Sequence, residues 1–228
     1  GLPPLPSAGD RPREPCGRPY GMTAREALRQ GIDALRAAGL PEAEADARAL
    51  VLGVLDWTPQ TWLTQADDSL LPQQLTLLRQ AFARRAAGQP VQYALGWWTF
   101  GPLRLRCDAR ALIPRPETEL VALQAVACLQ GLSRPRVADV GCGTGCLGLY
   151  VAQARPDAQV TLLDVSPEAL ALAQDNARGL GLPVRLREQD LACPLWDGPY
   201  DLIVSNPPYI PTGDLAGLQP EVRLEPRL

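Results

Sequence analysis

The sequence predicts an α/β fold, an open parallel sheet with helices on its faces, preceded by a small all-α region and a β-hairpin. Three observations carry this. From residue 134 onward, apolar runs of strand length alternate with helical periods, the pattern of parallel strands joined by crossover helices. The first of those strands runs into Gly141-Cys142-Gly143-Thr144-Gly145, a turn rich in glycine that opens a helix. Upstream, apolar residues recur at helical spacing over 22–88 and then switch to a period of two.

Taken in order, residues 1–21 hold six prolines and no hydrophobic period, and are expected to form a disordered leader. Met22, the only methionine, precedes Thr23-Ala24-Arg25-Glu26, a capping-box spacing, so the folded domain and the natural start are expected there. Leu28, Ile32 and Leu35 then share one helix face up to Gly39. Pro41 is expected to open a second helix with Ala45, Ala49, Leu52 and Leu55 inward. A short turn over 59–63 precedes a helix over 72–87, with Leu75, Leu78 and Phe82 inward and Gly88 at its end. This bundle, 22–90, is expected either to recognise a substrate or partner or to serve packing alone.

Over 91–113, Leu103, Leu105 and Cys107 alternate with Arg104, Arg106 and Asp108 after Gly101-Pro102, predicting a β-hairpin linker. Ile113-Pro114-Arg115-Pro116-Glu117-Thr118-Glu119 leads into an apolar helix over 120–129. It is either a proline-rich helix start or a charged stretch that orients a ligand's polar ends. The remaining domain, 114–228, is expected to carry strands over 137–140, 160–164, 184–187 and 201–205, with helices over 146–154 and 167–179. Ligands of such sheets sit beyond the carboxyl ends of the strands.

Composition narrows the chemistry. With 46% apolar and 21% charged residues the chain is globular, and a net charge of −3 without any run of Lys and Arg gives no duplex-binding footprint. No apolar run approaches the ~18–20 residues that span a bilayer, and no secretory signal opens the chain, so a cytoplasmic location is expected. Six scattered cysteines without a Cys-x-x-Cys pair, and no histidine at all, leave the usual zinc and haem sites without ligands; no metal is expected. The missing histidine also removes the usual general base, so the chemistry should need no strong proton abstraction.

The residues with chemical potential fall at strand ends. The turn Gly141–Gly145 lacks the third glycine of a dinucleotide fingerprint, since Cys146 stands there. Asp164, ending the second strand, is placed to accept ribose hydroxyls, and Asp190, after the third, an adenine amino group, with the Leu191 backbone alongside. Each acid alone is commonly a loop cap. Together with the turn they describe a nucleoside site that would repel a pyrophosphate and suit a cationic sulfonium. The fourth strand ends in Asn206-Pro207-Pro208-Tyr209. Prolines bring no N–H, so this loop presents the Asn206 amide oxygen and the Pro207 carbonyl as two acceptors for a planar NH2, with the Tyr209 ring as a platform. The alternative is an Asn-Pro turn that merely closes a strand.

In combination these motifs resemble the class I S-adenosyl-L-methionine-dependent methyltransferases with an Asn-Pro-Pro-Tyr motif, and among them the glutamine N5-methyltransferases of peptide chain release factors. Gly88-Gln89-Pro90-Val91-Gln92-Tyr93-Ala94-Leu95-Gly96, Phe100-Gly101, the 112–119 stretch and Glu221-Val222-Arg223-Leu224-Glu225-Pro226-Arg227 extend the resemblance over 22–228. It implies a Rossmann-like class I methyltransferase sheet, with Gly141, Cys142, Gly143, Thr144, Gly145, Asp164, Asp190, Leu191 and Asn206 at the cofactor. It further implies Asn206, Pro207, Pro208 and Tyr209 at the glutamine of a Gly-Gly-Gln loop, and Phe100, Arg115, Glu117 and Thr118 closing the site. Release factors are the implied partner, and neither a membrane nor direct nucleic-acid binding is expected. The family's sheet has seven strands and four are found here, so a C-terminally truncated chain is expected. Two other functions stay open: N6-adenine methylation, because the same four residues accept an exocyclic amine, and a non-catalytic cofactor-binding module.

Overall fold

The computed structural model describes residues 21–190, 193 and 198–207. The chain divides into two compact units, residues 1–82 and 83–228. The expected leader lies outside the described residues apart from Gly21.

The first unit is helical: α1 (Ala24–Ala37), α2 (Ala43–Leu55), α3 (Pro59–Gln65) and most of α4 (Pro72–Ala86). The capping box at Thr23 is complete. Its hydroxyl accepts the Glu26 N–H at 3.2 Å, and the Glu26 carboxylate accepts the Thr23 N–H at 3.0 Å. α2 starts at Ala43 instead of Pro41, and its buried face is Ala43, Ala47, Leu50, Val51 and Leu55 instead of the 45/49/52/55 stripe. Ala residues on both faces blur the period, and packing against α1 selects the face. The expected turn at 59–63 is a helix, because Thr58 caps the Thr61 N–H and Pro59 occupies its first turn, where no N–H is needed. It carries Trp62, 7% exposed, into a cluster with Ala24, Ala27, Val51, Leu55 and Leu78. α1 approaches α4 at Gly31, where a Cβ would lie 2.2 Å from the Phe82 ring.

In the second unit the end of α4 is followed by α5 (Val91–Leu95), a single turn where the hairpin was expected to start. Gly96, at φ +81°, ends it and lets the chain reverse. The hairpin follows, β1 (Trp97–Phe100) antiparallel to β2 (Leu103–Arg106), with Leu103 and Leu105 buried and Arg104 and Arg106 exposed. α6 (Pro116–Cys128) starts a turn earlier than its apolar run, since Pro116 suits the first helical position and Glu117 and Glu119 favour the first turn. Then come β3 (Arg136–Val140), α7 (Cys146–Ala154), β4 (Gln159–Asp164), α8 (Pro167–Leu180), β5 (Arg185–Glu188) and β6 (Leu202–Ser205). The four strands from β3 on are parallel in the order β5-β4-β3-β6. Their core joins Val137, Leu162 and Val204 to Leu147, Leu149 and Val151 of α7, Ala173 and Ala177 of α8, and Phe100, Leu103 and Leu105 of the hairpin. Among the described residues, no helix is long and apolar enough to cross a membrane.

Candidate active site

The strand order reverses at β3: the chain crosses to β4 and β5 on one side, then returns to β6 on the other. Such a switch point opens a crevice at the carboxyl ends. Val140 is in register with Leu163 of β4 and Ser205 of β6, so the next residues along, Gly141, Asp164 and Asn206, begin side by side. The Ser205 hydroxyl donates to the Val140 carbonyl at 2.7 Å and clasps β6 to β3 where the site begins.

The turn after β3 is built by glycines at positive φ, +68° at Gly141, +54° at Gly143 and +81° at Gly145. Gly145 has a second constraint: a Cβ there would lie 3.1–3.3 Å from Leu149, Leu162 and Ala173, so a side chain would push α8 from the turn. Asp164, 3% exposed, holds the turn from β4, its Oδ2 accepting the Gly143 N–H at 2.9 Å and its Oδ1 the Ser166 N–H at 3.0 Å. An ionised carboxylate has about four acceptor sites. It can therefore brace the turn and still accept a ribose hydroxyl. Asp190 is exposed, and its carbonyl accepts the Cys193 N–H and the Gln189 side-chain amide. Leu191 lies outside the described residues.

Asp139 and the turn's cysteines sit behind the turn. Asp139, 1% exposed, accepts the Gly148 N–H at 2.8 Å, answering one of the unpaired donors in the first turn of α7. Burial pushes its carboxyl up to about 7, against the opposing hydrogen bond from Gly148, with the Asp164 charge adding to the rise. Burial likewise raises the Cys142 thiol and pushes that of Cys146 up to about 12. Neither thiol is a nucleophile in this state.

On the β6 side, Asn206 is half-buried, and its Nδ2 donates to the hydroxyl of Thr118 at 3.3 Å. Thr118, 4% exposed, lies in the first turn of α6, where its own N–H bonds the Arg115 carbonyl at 3.0 Å. Pro207 is exposed; Pro208 and Tyr209 lie outside the described residues. Arg115 is the N-cap of α6, and Glu117 is exposed on its first turn. Phe100, 1% exposed, is a core side chain, its ring edge-on to Tyr150 at 6.0 Å.

Further residues complete the surroundings. The Tyr93 hydroxyl donates to the Ala111 carbonyl at 2.9 Å, and the Ala111 methyl lies 3.8 Å from where a Gly143 Cβ would be. The segment after β2 is thus held over the glycine turn. Glu119 accepts the Gly101 N–H at 3.0 Å, fastening the hairpin turn to α6. Asn176 of α8 reaches the turn at the Thr144 carbonyl. Tyr93 stands within a motif that carried the resemblance; Asn176 looks like any polar helix residue. Among the described residues no group of three or more His, Cys, Asp or Glu could hold a metal.

Known proteins resemble this chain in sequence over most of its length. The family described as "Methyltransferase small domain" matches residues 122–216, and the one described as "PrmC N-terminal domain" matches residues 26–96. A protein of Deinococcus radiodurans named release factor glutamine methyltransferase is 44% identical over 207 residues, covering 91% of this chain and 74% of its own length. Proteins of the same name from Moorella thermoacetica and Bordetella pertussis are 39% and 43% identical, covering 91% and 86% of this chain and 74% and 72% of their own lengths. With the glycine turn at a switch point, this makes the chain an S-adenosylmethionine-dependent methyltransferase of class I fold, and it belongs to the release factor glutamine methyltransferase family.

Proposed function

We propose that the chain transfers the methyl group of S-adenosylmethionine to the side-chain amide nitrogen of the glutamine in the Gly-Gly-Gln loop of peptide chain release factors. The observation that carries this reading is the position of Asn206 beside the glycine turn, across the β3–β6 pair, with its amide nitrogen committed to Thr118. That leaves Oδ1 as an acceptor, and with the Pro207 carbonyl it makes a pair suited to the two hydrogens of a primary amide.

The cofactor supplies an electrophilic methyl group when bound. Gly141 to Gly145, Asp164, Asp190 and Leu191 are assigned to hold it. An amide nitrogen is a poor nucleophile because its lone pair is delocalised. Gripping both N–H bonds from Asn206 and Pro207 turns that nitrogen toward the methyl group and polarises it, so positioning carries most of the rate. Pro208 and Tyr209 are assigned to shape the platform under the amide plane. As the N–C bond forms and the S–C bond breaks, the nitrogen becomes cationic and strongly acidic, and its proton leaves to solvent. No strong base is required, in keeping with a chain without histidine.

Segment 22–90 is assigned to release-factor recognition, 91–113 to a connecting hairpin and 114–228 to cofactor binding and transfer, supported by the separate family matches over 26–96 and 122–216. Phe100, Arg115, Glu117 and Thr118 are assigned to the closure of the site. The reaction needs neither a metal nor a nucleic-acid surface, and it belongs in the cytoplasm, where release factors act.

Radiolabelled S-adenosylmethionine offered with a release factor, and separately with adenine-containing DNA and RNA, tests the reading. Label is expected in the release factor and absent when the acceptor glutamine is replaced. Label in nucleic acid alone would replace this reading with adenine methylation. Cofactor binding without label in any acceptor would replace it with a non-catalytic module.

A further inference from the structure

We infer that Asn176 is a positioning residue that locks the β1–β2 hairpin to the cofactor turn, so that cofactor binding and hairpin order are linked. Asn176 sits on α8, 3% exposed, and it has no place in the transfer chemistry. Its Oδ1 accepts the Arg106 N–H at 2.6 Å, while its Nδ2 donates to the Arg106 carbonyl at 3.2 Å and to the Thr144 carbonyl at 3.0 Å. The partners dictate the amide's orientation. An N–H faces only the oxygen and two carbonyls face only the nitrogen, so a flipped amide would lose all three bonds. Toward Arg106 the side chain behaves as a peptide group would, taking both the donor and the acceptor at the end of β2. Toward Thr144, itself 2% exposed, it pins the middle of the glycine turn.

Neighbouring contacts make this a joint with two separable sides. On the hairpin side, Asp175 pairs with Arg110 at 3.0 Å and Arg106 at 3.6 Å, and Asp108 pairs with the same two arginines at 2.9 and 3.4 Å. These partly exposed pairs add modestly to the attachment. On the turn side, Ala173 lies one helical turn before Asn176 and meets Gly145. The side-chain bonds of Asn176 reach both. Buried and fully used donors of this kind transmit displacement, because moving either partner leaves the other's carbonyl unpaired. The link is reciprocal: a ligand that orders the turn must order Arg106, and whatever displaces the hairpin must loosen the turn.

Hydrogen exchange, followed residue by residue with and without S-adenosylmethionine, tests this together with calorimetry. In the ligand-free protein, Asn176→Ala is expected to speed exchange at Arg106 and also at Gly143 and Gly145, each by roughly tenfold, the scale of one buried hydrogen bond. Faster exchange at Arg106 alone would overturn the link and leave Asn176 a packing residue. In the unsubstituted chain, S-adenosylmethionine is expected to slow exchange at Arg106 as well as in the turn. Protection confined to the turn would overturn the proposal without any variant. Asn176→Ala is expected to weaken cofactor binding by roughly 10-fold, whereas Asp175→Ala, which touches only the hairpin side, should leave it within about twofold. Should calorimetry show no cofactor binding, the cofactor assignment fails, and the ligand-free exchange pattern still decides the joint. If the Ala variant does not fold, Asn176→Asp, which keeps the acceptor for the Arg106 N–H but loses both donors, must speed exchange at Gly143 and Gly145 and abolish the slowing that S-adenosylmethionine brings at Arg106; slowing that persists at Arg106 would overturn the link.

Discussion

The Asn206 amide nitrogen lies 3.3 Å from the Thr118 hydroxyl, joining the end of β6 to the first turn of α6 across 88 residues of sequence. Thr118 is buried, and its hydroxyl accepts from the Asn206 amide nitrogen, which leaves Oδ1 turned to other work. Thr118→Val keeps the shape and removes the hydroxyl. Turnover is expected to fall by about 10-fold with cofactor affinity unchanged, and Thr118→Ser to restore it. Steady-state kinetics with a release factor decide this; a Val variant as fast as the parent would detach Thr118 from Asn206.

Asn206→Ala removes an acceptor needed in the transition state, so turnover should drop by roughly 10²-fold or more while the cofactor dissociation constant moves only a few fold. Asp164→Ala should do the reverse. The lost carboxylate unties the Gly143 and Ser166 N–H groups, and calorimetry is expected to show cofactor binding at least about tenfold weaker. Unchanged affinity in the second variant would remove Asp164 from the cofactor site.

Asp139 links stability to pH. Its carboxyl is raised from 3.8 to about 7 by burial, so the folded chain holds this proton more tightly than the unfolded chain does. The stabilisation is therefore complete below the unfolded value and is lost as pH rises through the folded one. Asp139→Asn stays neutral and still offers an oxygen to the Gly148 N–H. Its melting temperature relative to the parent should climb between pH 5 and 7 and level off above that. A difference that stays flat over that range would mean Asp139 does not titrate there.

Two glycines in helices should respond oppositely to alanine. At Gly148 a Cβ would lie 2.3 Å from Leu162 and 3.1 Å from Asp139, so Gly148→Ala should cost about 1–3 kcal/mol. At Gly179 of α8 nothing lies within 4 Å, and Gly179→Ala should be neutral or stabilising by up to about 1 kcal/mol. Thermal melts of both variants check this, and equal melting temperatures would contradict the contact at Gly148.

The strands and helices from 134 on, the capping box at Thr23 and the glycine turn were legible in the chain itself, because each follows from local rules: apolar period, proline and glycine backbone limits, and caps satisfying nearby N–H groups. Such rules act over a few residues, and the sequence states them directly. It was less decisive where the local signal was ambiguous, as with α3, whose Trp62 reads as a turn residue until a core receives it, and α2, whose alanines leave two faces open. What no local rule could decide was which distant groups meet. That Asn206 finds Thr118, that Asp164 spends its oxygens on Gly143 and Ser166, and that Asn176 ties Arg106 to Thr144 all depend on strand order and register. Those arise from burial of the whole sheet between its helices, a cooperative term that belongs to no single stretch of the sequence.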